Sequence, residues 1–311
     1  MKNYKLLLSM VAGGALMLLN LAASADEGSR DGVVTVVSIQ GHGDYSIDGG
    51  HTWVPLVVGK ELSPGSLVRS ETLSLVDILI GKSFDNKITE NLLSKNNKAP
   101  APNLIPQGDK NVIRMRPNTT LGIDKLTVPD SDPTVISDCQ LDLKKGKILA
   151  SVKKVSPSSE YLIKIPNGVA AVRGTQLILS TDGTSGGTTC GVISGTVWLS
   201  FVITDANGNP VLGPDGQPLA PIQITLTPGQ SFGLTGALLE SLIQDVNGAP
   251  PGVSAATLAA TLIAAATSDV SEMNPGELAT LQTVLTALVT PNIQTIAVTI
   301  SVNNNTFVSP Q

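Results

Sequence analysis

Catalytic raw material is scarce in this chain. Histidine occurs only as His42 and His51, so a serine or cysteine nucleophile would find almost no imidazole partner. No G-x-S-x-G elbow, Ser-x-x-Lys, H-E-x-x-H or phosphate-cradling loop is present. Charged residues make up 14%, with no basic stripe among them, which excludes a nucleic-acid surface built on counterion release. These gaps predict a non-enzymatic protein without cofactor or metal. Two carboxylates that meet only in space could still make a carbohydrate-active enzyme, but no pattern argues for them.

What is present begins with MKNYKLLLSMVAGGALMLLNLAASADEGS, where Lys2 and Lys5 precede an apolar run that ends in Ala23-Ser24-Ala25. That order predicts a signal peptide over 1–25, cleaved after Ala25, and hence a periplasmic or secreted protein of a Gram-negative type bacterium. The run is short for a membrane span and is broken by Gly13 and Gly14. Without Lys2 and Lys5, 18 basic residues face 25 acidic ones, a formal charge of -7.

Aromatics are only 3%, whereas β-branched residues, glycine and proline abound, as in β-rich exported proteins. Short strands are expected at 33–39, 73–81, 111–116, 120–128, 141–152, 161–166, 175–181, 188–204 and 222–227, where Ile222, Ile224 and Leu226 alternate with polar residues. Residues 82–110 read as an excursion with a helical turn at 90–94, and 205–221 as a hairpin of two consecutive turns. Beyond 233 the chain turns Ala/Leu-rich. Helices are expected at 236–248, 254–270 and 274–290, the last started by Asn274-Pro275 and Glu277, with a β tail at 293–310. The fold class is therefore mainly β, one domain at 33–233, followed by a helical segment at 234–311.

Export makes a disulfide the expected state of Cys139 and Cys190, with two buried thiols as the alternative. In GHGDYSIDGGH, the side chains of His42, Asp44, Asp48 and His51 are of ligand type, but their spacing matches no metal grammar and the glycines explain themselves as turns. Asp205, Asn207 and Asn209 lack the glutamate that would close a calcium loop.

The stretch PNGVAAVRGTQLIL places Arg173, Gly174 and Thr175 between apolar runs, downstream of a turn at Pro166, Asn167 and Gly168. Arg173 is read as a partly buried arginine that holds the fold, with Gly174 taking a conformation or close approach that a Cβ forbids. An anion-binding arginine is the alternative.

The ordered segments TWVPLVVGKELSPGSLVRSETLSLVDILIG, IRMRPNTTLGI, LDLKKGKILASV, YLIKIPNGVAAVRGTQLIL, CGVISGTVWL and ITLTPGQSF resemble the FecR domain family over about 33–233. The resemblance implies a periplasmic, non-catalytic β module of solenoid-like or twisted β-stack fold. It also makes Pro166, Asn167, Gly168, Arg173, Gly174 and Thr175 a structural signature. Founding members relay iron-siderophore occupancy from an outer-membrane receptor to a cytoplasmic sigma factor. Here a cleavable signal stands where they carry an anti-sigma segment, so the leading expectation is a binding or scaffolding protein that contacts an envelope protein or a cell-wall polymer. A signalling component of an iron-uptake relay is the alternative.

Overall fold

A computed structural model describes residues 28–81, 111–130, 136–153, 159–183, 187–204, 209–250 and 253–289. The expected signal peptide, the 82–110 excursion and the 293–310 tail lie outside the described residues.

Among the described residues sixteen strands form one continuous hydrogen-bonded network that folds into two layers and does not close. They are β1 (Ser29–Asp31), β2 (Val34–Gln40), β3 (Gly43–Ser46), β4 (Val54–Pro55), β5 (Glu61–Leu62), β6 (Leu67–Ser70), β7 (Leu75–Ile80), β8 (Asn111–Met115), β9 (Thr120–Pro129), β10 (Asp138–Ser151), β11 (Glu160–Ile165), β12 (Gly168–Thr181), β13 (Thr188–Phe201), β14 (Ile222–Leu226), β15 (Gln230–Leu234) and β16 (Ser271–Glu272). In the first layer β3, β6, β9, β10, β11, β12, β13 and β14 lie side by side. In the second the order is β5, β2, β7, β8, β10, β12, β13, β15, β16.

β10, β12 and β13 belong to both layers because each is 14 residues long and bends in its middle. Gly146, Gly174 and Gly195 mark the bends with φ of 96°, 64° and 81°. The shorter crossings use the same device: Gly41 between β2 and β3, Leu73 between β6 and β7, Asn118 between β8 and β9, and Gly229 between β14 and β15 all have positive φ. A left-handed residue lets a strand leave one layer and enter the other within one or two positions.

The crossings occupy two opposite rims. Gly41, Leu73, Asn118 and Gly146 share the first, as the antiparallel registers of β2 to β10 require. Gly174, Gly195 and Gly229 share the second, since Gly146 stands beside Thr181, at the far end of β12 from Gly174. The change of rim occurs at β11, which pairs parallel to β10 and antiparallel to β12.

Inward side chains of both layers meet in one apolar core. Leu121, Leu141, Ile163 and Leu199 of the first layer join Val36, Ile78, Ile113 and Leu177 of the second. The helices are α1 (Gly236–Asn247), α2 (Ala255–Ser268) and α3 (Pro275–Val289). Thr235, Ser254 and Asn274 cap them, with side-chain oxygens accepting backbone N–H groups of Leu238, Thr257 and Gly276 at 3.1, 3.2 and 2.9 Å. α2 packs on β14 and extends the core with Leu258 and Leu262. α3 lies on the outer face of the second layer, where Leu281, Leu285 and Leu288 cover Val37, Leu79, Val112, Leu149 and Ile193. Among the described residues no helix is long and apolar enough to cross a membrane.

Candidate functional site

The signature residues separate into two structural jobs along one strand. Pro166 and Asn167 make the turn from β11 into β12, and the Asn167 carbonyl accepts the Val202 N–H at 2.9 Å. Gly168 passes so close to the Ser200 carbonyl that no Cβ would fit. Further along, Gly174 and Thr175 form the bend. Thr175 is 1% exposed, donates its hydroxyl to the Thr196 carbonyl at 2.9 Å, and exchanges both backbone hydrogen bonds with Val152 at 2.9 and 3.0 Å. Arg173 points to the outer face of the first layer beside Thr196, half-buried, and its guanidinium has no hydrogen bond or ion pair with a described residue.

That outer face carries a groove of about 710 Å³ beside the Asn167 turn. Leu162, Pro166, Val169 and Val202 supply its apolar lining, while Gln140 and Asn167 are among its polar residues. The cross-strand row Gln140, Leu162, Ala171, Trp198, Thr225 continues away from the groove. Trp198 is 46% exposed, because Val197, Leu199 and Phe201 take the inward positions of β13. Three ion pairs lie on this face: Lys125 with Asp138 at 2.8 Å, Lys144 with Asp142 at 2.8 Å, and Lys164 with Asp124 at 2.7 Å across the intervening β10. Asp138 raises the pKa of Lys125, chiefly through their hydrogen bond. Among the described residues Asp142 is the one carboxylate lining the groove, and Lys144 engages it, so those residues assemble no facing pair of the kind a glycosidase needs there.

The outer face of the second layer holds a pair that sequence reasoning missed. Arg114 donates Nε and Nη2 to the two carboxylate oxygens of Asp77 at 2.7 and 2.8 Å, and Asp77 is 5% exposed. That bidentate contact raises the pKa of Arg114. One acid within LVDILI and one base within NVIRM, each alone in an apolar strand, was the available signal.

The other candidates have structural occupations. Asp44 is paired with Arg69 at 2.7 Å, and that guanidinium lies over the Trp53 ring at 4.2 Å. Asp48 accepts the Ser46 hydroxyl at 2.7 Å and the Thr52 N–H at 2.9 Å, which hold its carboxyl well below the usual range and close the 46–52 turn. Among the described residues no three His, Cys, Asp or Glu side chains come together as a metal site. Asp205 and Asn207 lie outside the described residues.

Cys139 and Cys190 are free, buried thiols, which corrects the expected disulfide. The register gives the reason. Cys139 lies in the first layer beside Tyr161, seven residues before the Gly146 bend. Cys190 lies in the second layer beside Leu179, whose other neighbour, Ile148, is two residues past that bend. At ~3.3 Å per residue the cysteines sit roughly 15 Å apart along the strands, beyond disulfide reach. Burial pushes both thiols up to about 12. The buried Tyr161 hydroxyl has no hydrogen-bond partner by geometry among the described residues and has the Cys139 thiol as a polar neighbour.

Comparison with known proteins adds a family. The FecR protein family model matches residues 104–198, from ahead of β8 to the middle of the outer half of β13. No curated protein matches the chain. Two crystal structures of a candidate anti-sigma factor from Parabacteroides distasonis are similar at 10% identity and a TM-score of 0.29. They cover 42% and 52% of this chain, which spans about half the length of each (49% and 55%). A likeness that low carries no argument here. The family match spans the PNTT turn, the Gly146 bend and the Arg173-Gly174-Thr175 bend, so residues 104–198 are the part of this chain that matches a FecR domain.

Proposed function

We propose that this protein is a non-catalytic binding or scaffolding module of the cell envelope, acting in the periplasm or after secretion. The FecR domain at 104–198 is the observation that carries the reading. Its support from the fold is an asymmetry: α3 covers the outer face of the second layer, whereas the outer face of the first layer is free of helices among the described residues. The partner is an envelope protein or a cell-wall polymer that engages this open face, and nucleic acid is not a partner. Affinity capture from a native envelope fraction, with purified protein as bait, tests the proposal. Saturable retention of one envelope component is expected. Capture of nothing from protein or polymer fractions overturns it, as does turnover of an envelope substrate.

The FecR domain also favours a second reading, a signalling component of an iron-uptake relay. A sigma-factor gene and an outer-membrane receptor gene beside its own would support that reading, and their absence would remove it.

A further inference from the structure

We propose that the open face of the first layer, from Gln140 to Trp198, binds a glycan strand of uncharged sugar rings. The inference rests on the non-catalytic binding reading above and names its ligand class.

Four properties of the face select this ligand. First, it offers no backbone edge: β10, β11, β12 and β13 each have a neighbouring strand on both sides in this layer. A peptide therefore cannot dock here by strand addition, and recognition falls to side chains. Second, the charges balance. Lys125, Lys144 and Lys164 are matched by Asp138, Asp142 and Asp124. Arg173 of β12 and Glu160 of β11 add one charge of each sign and leave the balance unchanged. A face without excess charge has no pull on a phosphate-rich polymer or an anionic membrane.

Third, the apolar part is flat and interrupted. Leu162 and Ala171 lie half-buried in one cross-strand row, with exposed Trp198 at its end. Strand spacing puts Trp198 roughly 10 Å from Leu162, so the row presents an aromatic plate and, two strands away, an apolar floor. Fourth, amide and hydroxyl groups border that row: Gln140, Asn167, Ser200, Gln223 and Thr225. Sugar rings are amphipathic in the same sense, with C–H faces that stack on an aromatic and hydroxyl edges that exchange hydrogen bonds with amides.

The protein has two tryptophans, so a Trp53→Phe variant leaves Trp198 as the reporter on this face. Hexamers of β-linked glucose and of N-acetylglucosamine are titrated into it. A saturable change in Trp198 fluorescence with either is expected, unaltered within twofold by about 0.5 M NaCl. Calorimetry on Trp198→Ala, with Trp53 intact, should show at least tenfold weaker binding at an unchanged melting temperature. Val169→Lys, which places a charge on the groove lining, should weaken binding similarly. The proposal is overturned by no saturable signal up to about 10 mM of either sugar, by loss of binding in salt, or by wild-type binding in a folded Trp198→Ala. If the sugars fail while envelope capture retains a protein partner, this inference falls and the broader binding reading stands.

Discussion

Gly195 lies directly against the carbonyl oxygen of Gly174, so that the bends of two neighbouring strands touch backbone to backbone. A Cβ on Gly195 would also crowd the Thr175 hydroxyl, which donates to the Thr196 carbonyl on the same bend. Gly174 and Gly195 therefore form a pair of interlocked bends on neighbouring strands.

Gly195→Ala should accordingly destabilise by about 2–4 kcal/mol, combining a left-handed φ with a collision that rigid backbone cannot relieve. Arg173→Ala should cost less than about 1 kcal/mol, because no described residue holds its guanidinium. Thermal melts of the two variants decide the matter. An arginine variant that melts as low as the glycine one would return Arg173 to a fold-holding role.

Arg114→Ala leaves Asp77 charged and buried without its bidentate partner, so a loss of about 3 kcal/mol is expected in urea unfolding. Replacing both residues by leucine should recover most of that loss, since α3 already packs apolar residues against this face. Failure of the double variant to recover would mean that the pair does more than satisfy itself.

Both thiols should react with a maleimide only after unfolding, and a reducing agent should leave the melting temperature unchanged. Below about pH 8.5 the cysteines are protonated in folded and unfolded chains alike. Above it the unfolded thiols ionise, whereas the buried ones remain neutral until about 12. The thiol contribution to stability is therefore intact below that unfolded value and lost progressively as pH rises toward 12. A Cys139→Ala, Cys190→Ala double variant should show a shallower alkaline decline, and an identical decline would remove the thiols as its cause.

Leu285→Asp places a charge in the fully buried centre of the α3 contact and should release the helix from the second layer. Limited proteolysis would then cut near Asn274 and leave the strands intact. Global unfolding in its place would show that α3 is integral to the core.

Much of the strand content was readable because inward positions recur at period two, as in Ile222, Ile224 and Leu226. The Asn274-Pro275 helix start was equally local, an amide side chain capping its own first turn. The bends were not readable in that way. Residues 168–181 look like a strand, a turn and a strand, yet they form one strand whose glycine changes layer, a fact that depends on Gly195 across the pairing. Trp198 was accessible in principle, because Val197, Leu199 and Phe201 claim the inner face and leave it outside. The groove was not, since it joins residues from β10, β11 and the chain beyond β13 through registers that no local pattern encodes. The cysteines show the same limit: compartment chemistry favoured a bond, and strand register kept the sulfurs apart.

The change of rim at β11 has a mechanical consequence. Strands β2 to β10 fold over one rim and β12 to β15 over the other, like two clasps facing opposite ways and sharing β10 and β12. An opening that one half's free rim would permit is blocked by the other half's fold. One apolar core is thus folded over at opposite rims in the two halves, and each half's bends back the other's open side.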